Sequence, residues 1–237
     1  AGNLDSRQQA DAFDALGVSR GTGVQTFNLT ISATMLGARV LEALPLITDM
    51  ALKPRFDEAS IEPVRDLCIQ SIESLEDDPQ ERVTILLKDR HAPAPLNRSG
   101  LGTIEGLEQL DRDLLVQGWM ERCRPEGAVL ALAGAVKIED VAPVLEKLFE
   151  SWEGRAPEPK PRTKPPRGAH HEADDTNQVH IALAHDAPAE SSADAPLERV
   201  VNAVHSGGMT GRLFTEVREK RSRCHSVYAY YATERDN

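Results

Sequence analysis

The sequence predicts a mixed helix-and-strand chain in two segments, on three observations. Residues 18–34 alternate as a strand does, several longer runs carry apolar residues at helical spacing, and a Pro-rich passage after residue 152 separates them from a shorter segment. Each element follows in order.

Asp5-Ser6, an Ala/Gln-rich run to Leu16 and a closing Gly17 read as a capped helix. Over 18–34, Val24, Thr26, Asn28, Thr30 and Ser32 face one way, and Phe27, Leu29, Ile31 and Ala33 the other. That is the pattern of one half-buried strand. Residues 35–52 are helical, with Leu36, Val40, Leu44 and Ile47 on one face and Pro45 as an expected kink. Helices over 57–75 and 76–88 follow, the second with Pro79 in its first turn. A Pro/Gly loop spans 91–102, and short helices over 104–107 and 111–123 come next, the latter capped by Asp111. GAVLALAG, 127–134, reads as a buried central strand, and 138–152 as an amphipathic helix with Val141, Val144, Leu145, Leu148 and Phe149 inward.

Residues 153–173 form a Pro-rich linker. Beyond it come a strand over 178–184, a helix over 195–204, a Ser206-Gly207-Gly208 break, a helix over 210–220 and a Tyr-rich strand over 226–232. The second segment is small for a core of its own, so it leans on the first or is incomplete.

A net charge of −11 argues against a nucleic-acid binder, because little offsets phosphate repulsion. It suits a protein that accepts basic peptides. No run approaches the roughly 20 apolar residues of a membrane span. The start at Ala1 has neither an initiator Met nor a signal pattern and reads as internal to something longer. Cys68, Cys123 and Cys224 lie far apart and read as reduced thiols, which points to a cytoplasmic setting.

The seven histidines show no HxxEH or HxxxH spacing. His170-His171-Glu172 lies on extended chain where neighbours point apart, and His180 and His185 fall on opposite strand faces, solvent-facing or locally satisfied. No Gly-rich segment has P-loop chemistry. Spacing leaves a Ser/His/Asp triad open, but no GxSxG elbow supports one. The densest constellation runs from Arg212 to His225: a glycine-initiated helix with a charged side that delivers Arg218 near the start of a Tyr-bearing strand. Composition alone favours a solvated basic helix face there.

That segment, GGMTGRLFTEVREKRSRCHSVYAYY, resembles the second-domain signature of the pitrilysin/insulinase-type zinc peptidases, the inverzincins, in their bacterial processing-peptidase-like branch. In that family a Gly-Gly turn leads to SRLF and then VREKRGLAYSV. LGVSRGTGVQTFNLTISAT, PRFDEASIEPVRDLCIQSIESLEDDP and VLALAGAVKIEDVAPVLEKLFESWEG resemble other family segments in the same order.

The resemblance implies an α+β fold of two related domains, each an antiparallel-rich sheet with helices on one face. Both are incomplete here, a partial N-terminal domain over 1–152 and a partial C-terminal domain over 174–237. The family's zinc is held by HxxEH and a downstream Glu. HxxEH would precede Ala1. The family's ER-x-x-V-x-x-E-I aligns with residues 64–72, which puts Ser71 at the zinc-Glu position and Val64 at the upstream Glu. A hydroxyl stays protonated near neutral pH and is a poor zinc ligand. Glu73 points about 200° away around the helix. The family also sets an Arg, and seven residues on a Tyr, beside the substrate; here those positions hold Arg218 and His225, and a Leu before the Gly-Gly turn is His205.

The resemblance therefore implies an inactive subunit, without a cofactor of its own, that binds unfolded peptide and lends Arg218 to a site shared in a homo- or heterodimer with an active partner. Two alternatives stand beside it. One is an active zinc endopeptidase whose HxxEH lies outside this sequence; the other is a scaffold subunit without peptide affinity.

Overall fold

The computed structural model describes residues 2–157, 163–175 and 177–232. They divide into two compact units, Ala1–Ala182 and Leu183–Asn237. Part of the Pro-rich passage, 158–162, and the final residues 233–237 lie outside the described residues.

Helix α1, Ser6–Ala15, opens on the expected cap: the Asp5 carboxylate accepts from the Gln8 N–H, and the Gln8 side chain accepts from the Asp5 N–H. Strands β1, Ser19–Val24, and β2, Leu29–Thr34, then form an antiparallel ladder with Val24 opposite Leu29. The single strand expected over 18–34 is thus a hairpin. Its loop, 25–28, has four residues and is closed by the Gln25 N–H donating to Asn28 O at 2.9 Å. Continuous alternation puts Val24 and Leu29 on opposite faces, whereas the ladder pairs them on one face, so the period-2 pattern changes phase at the four-residue turn, which the alternation alone does not report.

Helix α2, Val40–Leu52, is the organiser of the first unit. One face carries Ala43 against Phe13 and Val18; another carries Val40 and Leu44 against Val141. Pro45 removes a helical N–H, and Thr48 Oγ1 donates to the Leu44 and Pro45 carbonyls at 3.0 and 3.1 Å. Helix α3, Glu58–Glu73, and α4, Pro79–His91, follow, the latter capped by Asp78. Short α5, Ile104–Glu108, and α6, Arg112–Arg122, start where Thr103 and Asp111 accept from the Gly106 and Leu114 N–H groups. Helix α7, Ile138–Phe149, buries Val141 and packs Val144, Leu145 and Leu148 as expected.

Three expected strands are extended chain without a ladder among the described residues. In 127–134 Val129 is 90% exposed, so this run is no buried central strand. In 178–184 Val179 and Leu183 are likewise exposed. Residues 226–232 are held instead by Ala229 N–H donating to Ser206 Oγ at 2.8 Å and by the Tyr231 hydroxyl donating to Pro188 O. An apolar run becomes a central strand only when neighbours bond both its edges, and sequence pattern cannot report those neighbours. The class remains α+β: a helix-rich chain with a small antiparallel sheet.

Toward its end the Pro-rich passage returns to α4. Arg82 bridges Glu172 and Asp174, the latter at 2.9 Å, and Arg167 N–H donates to Arg90 O. Glu172 is therefore committed to an ion pair rather than grouped with His170 and His171.

Candidate functional site

In the second unit, helix α8, Ala195–Ser206, ends at the Gly-Gly break the sequence marked. Gly207 N–H donates to Ala203 O at 2.7 Å, and Gly208 takes φ +110°, a conformation that favours glycine. Gly211 is buried in the same turn. A Cβ there would meet His205 O at 2.9 Å and Gly208 O at 3.1 Å, backbone that cannot swing aside. The turn therefore needs its glycines to bring the next segment back over the end of α8.

That segment is shorter and wider than the helix expected over 210–220. It is a π-helical turn, Phe214–Glu219, with Lys220 N–H donating to Thr215 O at 3.0 Å. Wide turns of this kind recur at functional sites. Arg218 lies in its last turn, its guanidinium 4.6 Å from the centre of the Phe214 ring and 3.3 Å from the Glu219 carboxylate. Stacking of this kind contributes about 0.5–1 kcal/mol at an exposed site, enough to bias a rotamer and too little to lock it. With its side chain 41% exposed, Arg218 is positioned yet free to turn onto a ligand. Phe214 was not singled out from the sequence; the signal was its i,i+4 spacing to Arg218.

The chain turns again at Ser222, φ +47°, whose N–H donates to Arg218 O. His225 follows, exposed, as is His205 at the end of α8. Between Arg212 and His225 stand five cations and two carboxylates, a local excess of positive charge on a chain of net −11. Such a surface recognises carbonyl oxygens and anions.

Glu216 organises the cations. Its carboxylate accepts from Lys220 Nζ at 2.6 Å and from Arg221 at 2.8 Å, and these two bonds push its pKa down to about 2. A lowered carboxylate pKa stabilises the turn fully above the ordinary value of 4.5 and loses that effect as pH falls toward 2. The group is solvent-exposed, so salt screens the effect. A carboxyl NMR titration at low ionic strength is expected to place the Glu216 midpoint near 2 and move it upward in high salt. A midpoint at the ordinary carboxylate value in low salt contradicts the clamp.

Ser71, which the sequence resemblance sets at a zinc-Glu position, is exposed on α3, and its hydroxyl donates to Leu67 O at 2.8 Å, an ordinary helical back-bond. Among the described residues no three His, Cys, Asp or Glu side chains are grouped to hold a metal. The residues present do not fit a zinc ion. His185 Nδ1 lies 2.9 Å from Asp186 O, satisfied locally. His180 departs from expectation: its ring is half-buried, and Nε2 is buried without a hydrogen-bond partner. The cysteines are free. No helix among the described residues is long and apolar enough to cross a membrane.

Residues 109–237, more than half of the chain and all of the Arg218-bearing part, match the family model of the peptidase M16 inactive domain. An uncharacterized zinc protease of Mycobacterium bovis is 27% identical over 227 residues, 93% of this chain and 52% of that protein. A probable mitochondrial-processing peptidase subunit beta of Arabidopsis thaliana is 30% identical over 124 residues, 51% of this chain and 23% of that protein. The chain thus spans about half the length of the bacterial relative. The crystal structure of a peptidase M16 inactive domain from Pseudomonas fluorescens superposes with a TM-score of 0.77 over 98% of this chain and 57% of that one. Identity there is 18%, so it shows the shared fold. The ordered motifs around Ser71 and Arg218, the family match and the common fold agree: the chain belongs to the M16 family of pitrilysin- and insulinase-type peptidases.

Proposed function

We propose that this chain is a catalytically inactive subunit or half of an M16 peptidase. In this reading it helps bind unfolded peptide and lends Arg218 to an active site shared, in a homo- or heterodimer, with a zinc-bearing partner. Residues 1–152 and 174–237 are then parts of two related domains, with 153–173 the passage between them. The observation that carries this reading is the contrast between two positions. Ser71 offers a back-bonded hydroxyl where the family places a carboxylate ligand, while Arg218 stays half-exposed on a wide turn in a cationic segment. A guanidinium so placed can donate to a substrate carbonyl and to the oxyanion that develops from it. His225 supplies a second donor with a shorter reach than the family's Tyr.

If the deficiency were only one missing ligand, restoring it would restore metal chemistry. Ser71→Glu is expected to leave the chain without chelator-sensitive peptide cleavage, because no other side chains among the described residues are grouped to share the metal with it. Appearance of EDTA-sensitive cleavage in that variant overturns the inactive-subunit reading and favours an endopeptidase with an unconventional ligand set.

A further inference from the structure

The first unit holds a cleft that the peptidase reading does not use. It lies between the C-terminal end of α2, α6 and α7 and encloses about 710 Å³, within the usual range for a small-molecule site. Trp119, Met120, Val144, Leu148 and Trp152 supply much of its wall, and the only two tryptophans of the chain are thus both in it. The polar groups set among those side chains are already used. Trp119 Nε1 donates to Ala51 O at 2.9 Å, Trp152 Nε1 to Cys123 O at 3.1 Å, and Cys123 Sγ to Ala51 O at 3.5 Å. Burial pushes the Cys123 thiol up, Arg124 opposing that rise, so the sulfur remains neutral wall.

Charge completes the description. Lys53, Arg124 and Lys147 line the cleft against one carboxylate, Glu153. Lys53 is shared with Asp49 at 3.4 Å, and Arg124 donates to the Glu153 backbone carbonyl at 3.2 Å. Lys147 is exposed and has no ion pair among the described residues. A positive margin on a chain of net −11 is not what average composition would place there.

We propose that this cleft binds a linear aliphatic carboxylate, its acyl chain against the two indoles and its carboxylate at Lys147. A peptide of equal apolar content fits less well. Its amide groups would meet two indole N–H donors and a Cys123 S–H that are already spent, with Ser151 and the cationic side left to pair them, and each amide left unpaired is costly. An acyl chain brings no such groups, and its single charge meets the cationic side. This inference is independent of the role given to Arg218, which lies in the other unit.

Tryptophan emission of the whole chain, titrated with decanoate below its micelle concentration, tests the proposal. A saturable one-to-one change is expected. Lys147→Glu should weaken decanoate about tenfold, the effect of reversing one nearby charge, and leave decyl alcohol binding unchanged. Lys147→Gln, which keeps the stem and serves if the reversal disturbs α7, should weaken it about threefold. An absent or non-saturable change overturns the proposal. So does equal binding of decyltrimethylammonium, indifference to both Lys147 variants, or tighter binding by an acetylated apolar peptide with a free C-terminus.

Discussion

Arg218→Ala is expected to lower partner-dependent peptide cleavage about 10²–10³-fold, the effect of deleting one preorganised donor to a developing oxyanion. Assembly of the two subunits should be unchanged. Both halves of that expectation come from the same geometry. The guanidinium is half-exposed and held by Phe214 and Glu219 alone among the described residues, so its removal opens no buried cavity. A pure scaffold subunit would show no loss of cleavage when Arg218 is removed. Phe214→Leu offers a graded control: it keeps the charge but removes the stacking surface, so its loss should be smaller. Steady-state cleavage in the presence of the active partner, with size-exclusion chromatography of the same samples, reads both outcomes. Unaltered cleavage contradicts a shared site.

Phe13→Ala should lower the unfolding free energy by about 3–5 kcal/mol, the usual range for deleting a fully buried phenyl ring. Phe13 is 1% exposed, packs with Val18 and with Ala43 of α2, and carries the Arg20 guanidinium 4.5 Å from its ring centre. Leu16, Met35, Leu46, Ile47 and Met50 pack against the same cluster, and how far they collapse into the vacated space sets where in that range the loss falls. Because whole domains are stable by only about 5–15 kcal/mol, this variant should be marginal at body temperature. Urea unfolding followed by circular dichroism, with the denaturant slope unchanged, gives the value. A loss below about 1 kcal/mol would mean that the Phe13 cluster is not the core of the first unit.

Helices were the legible part of this sequence. Caps at Asp5 and Asp111 and the apolar stripe Val141, Val144, Leu145 and Leu148 announce their elements locally, and each is where the spacing puts it. Strands were less legible, because a strand is defined by a partner outside its own residues. Residues 127–134 and 178–184 have strand composition, yet they remain extended chain. In the site, the Gly-Gly break and Arg218 could be read directly. The π-helical turn could not, since it depends on how Gly211 packs under the end of α8. The bridge from Arg82 to Glu172 and Asp174 spans about ninety residues, and nothing local signals it.

Zinc content of the purified full-length natural protein, measured on the same preparation as peptide cleavage with and without chelator, tests the central claim most directly. Absence of stoichiometric zinc, with cleavage only when an active partner is added, is the result expected of an inactive subunit that contributes Arg218. Near-stoichiometric zinc with chelator-sensitive cleavage by the protein alone would contradict it.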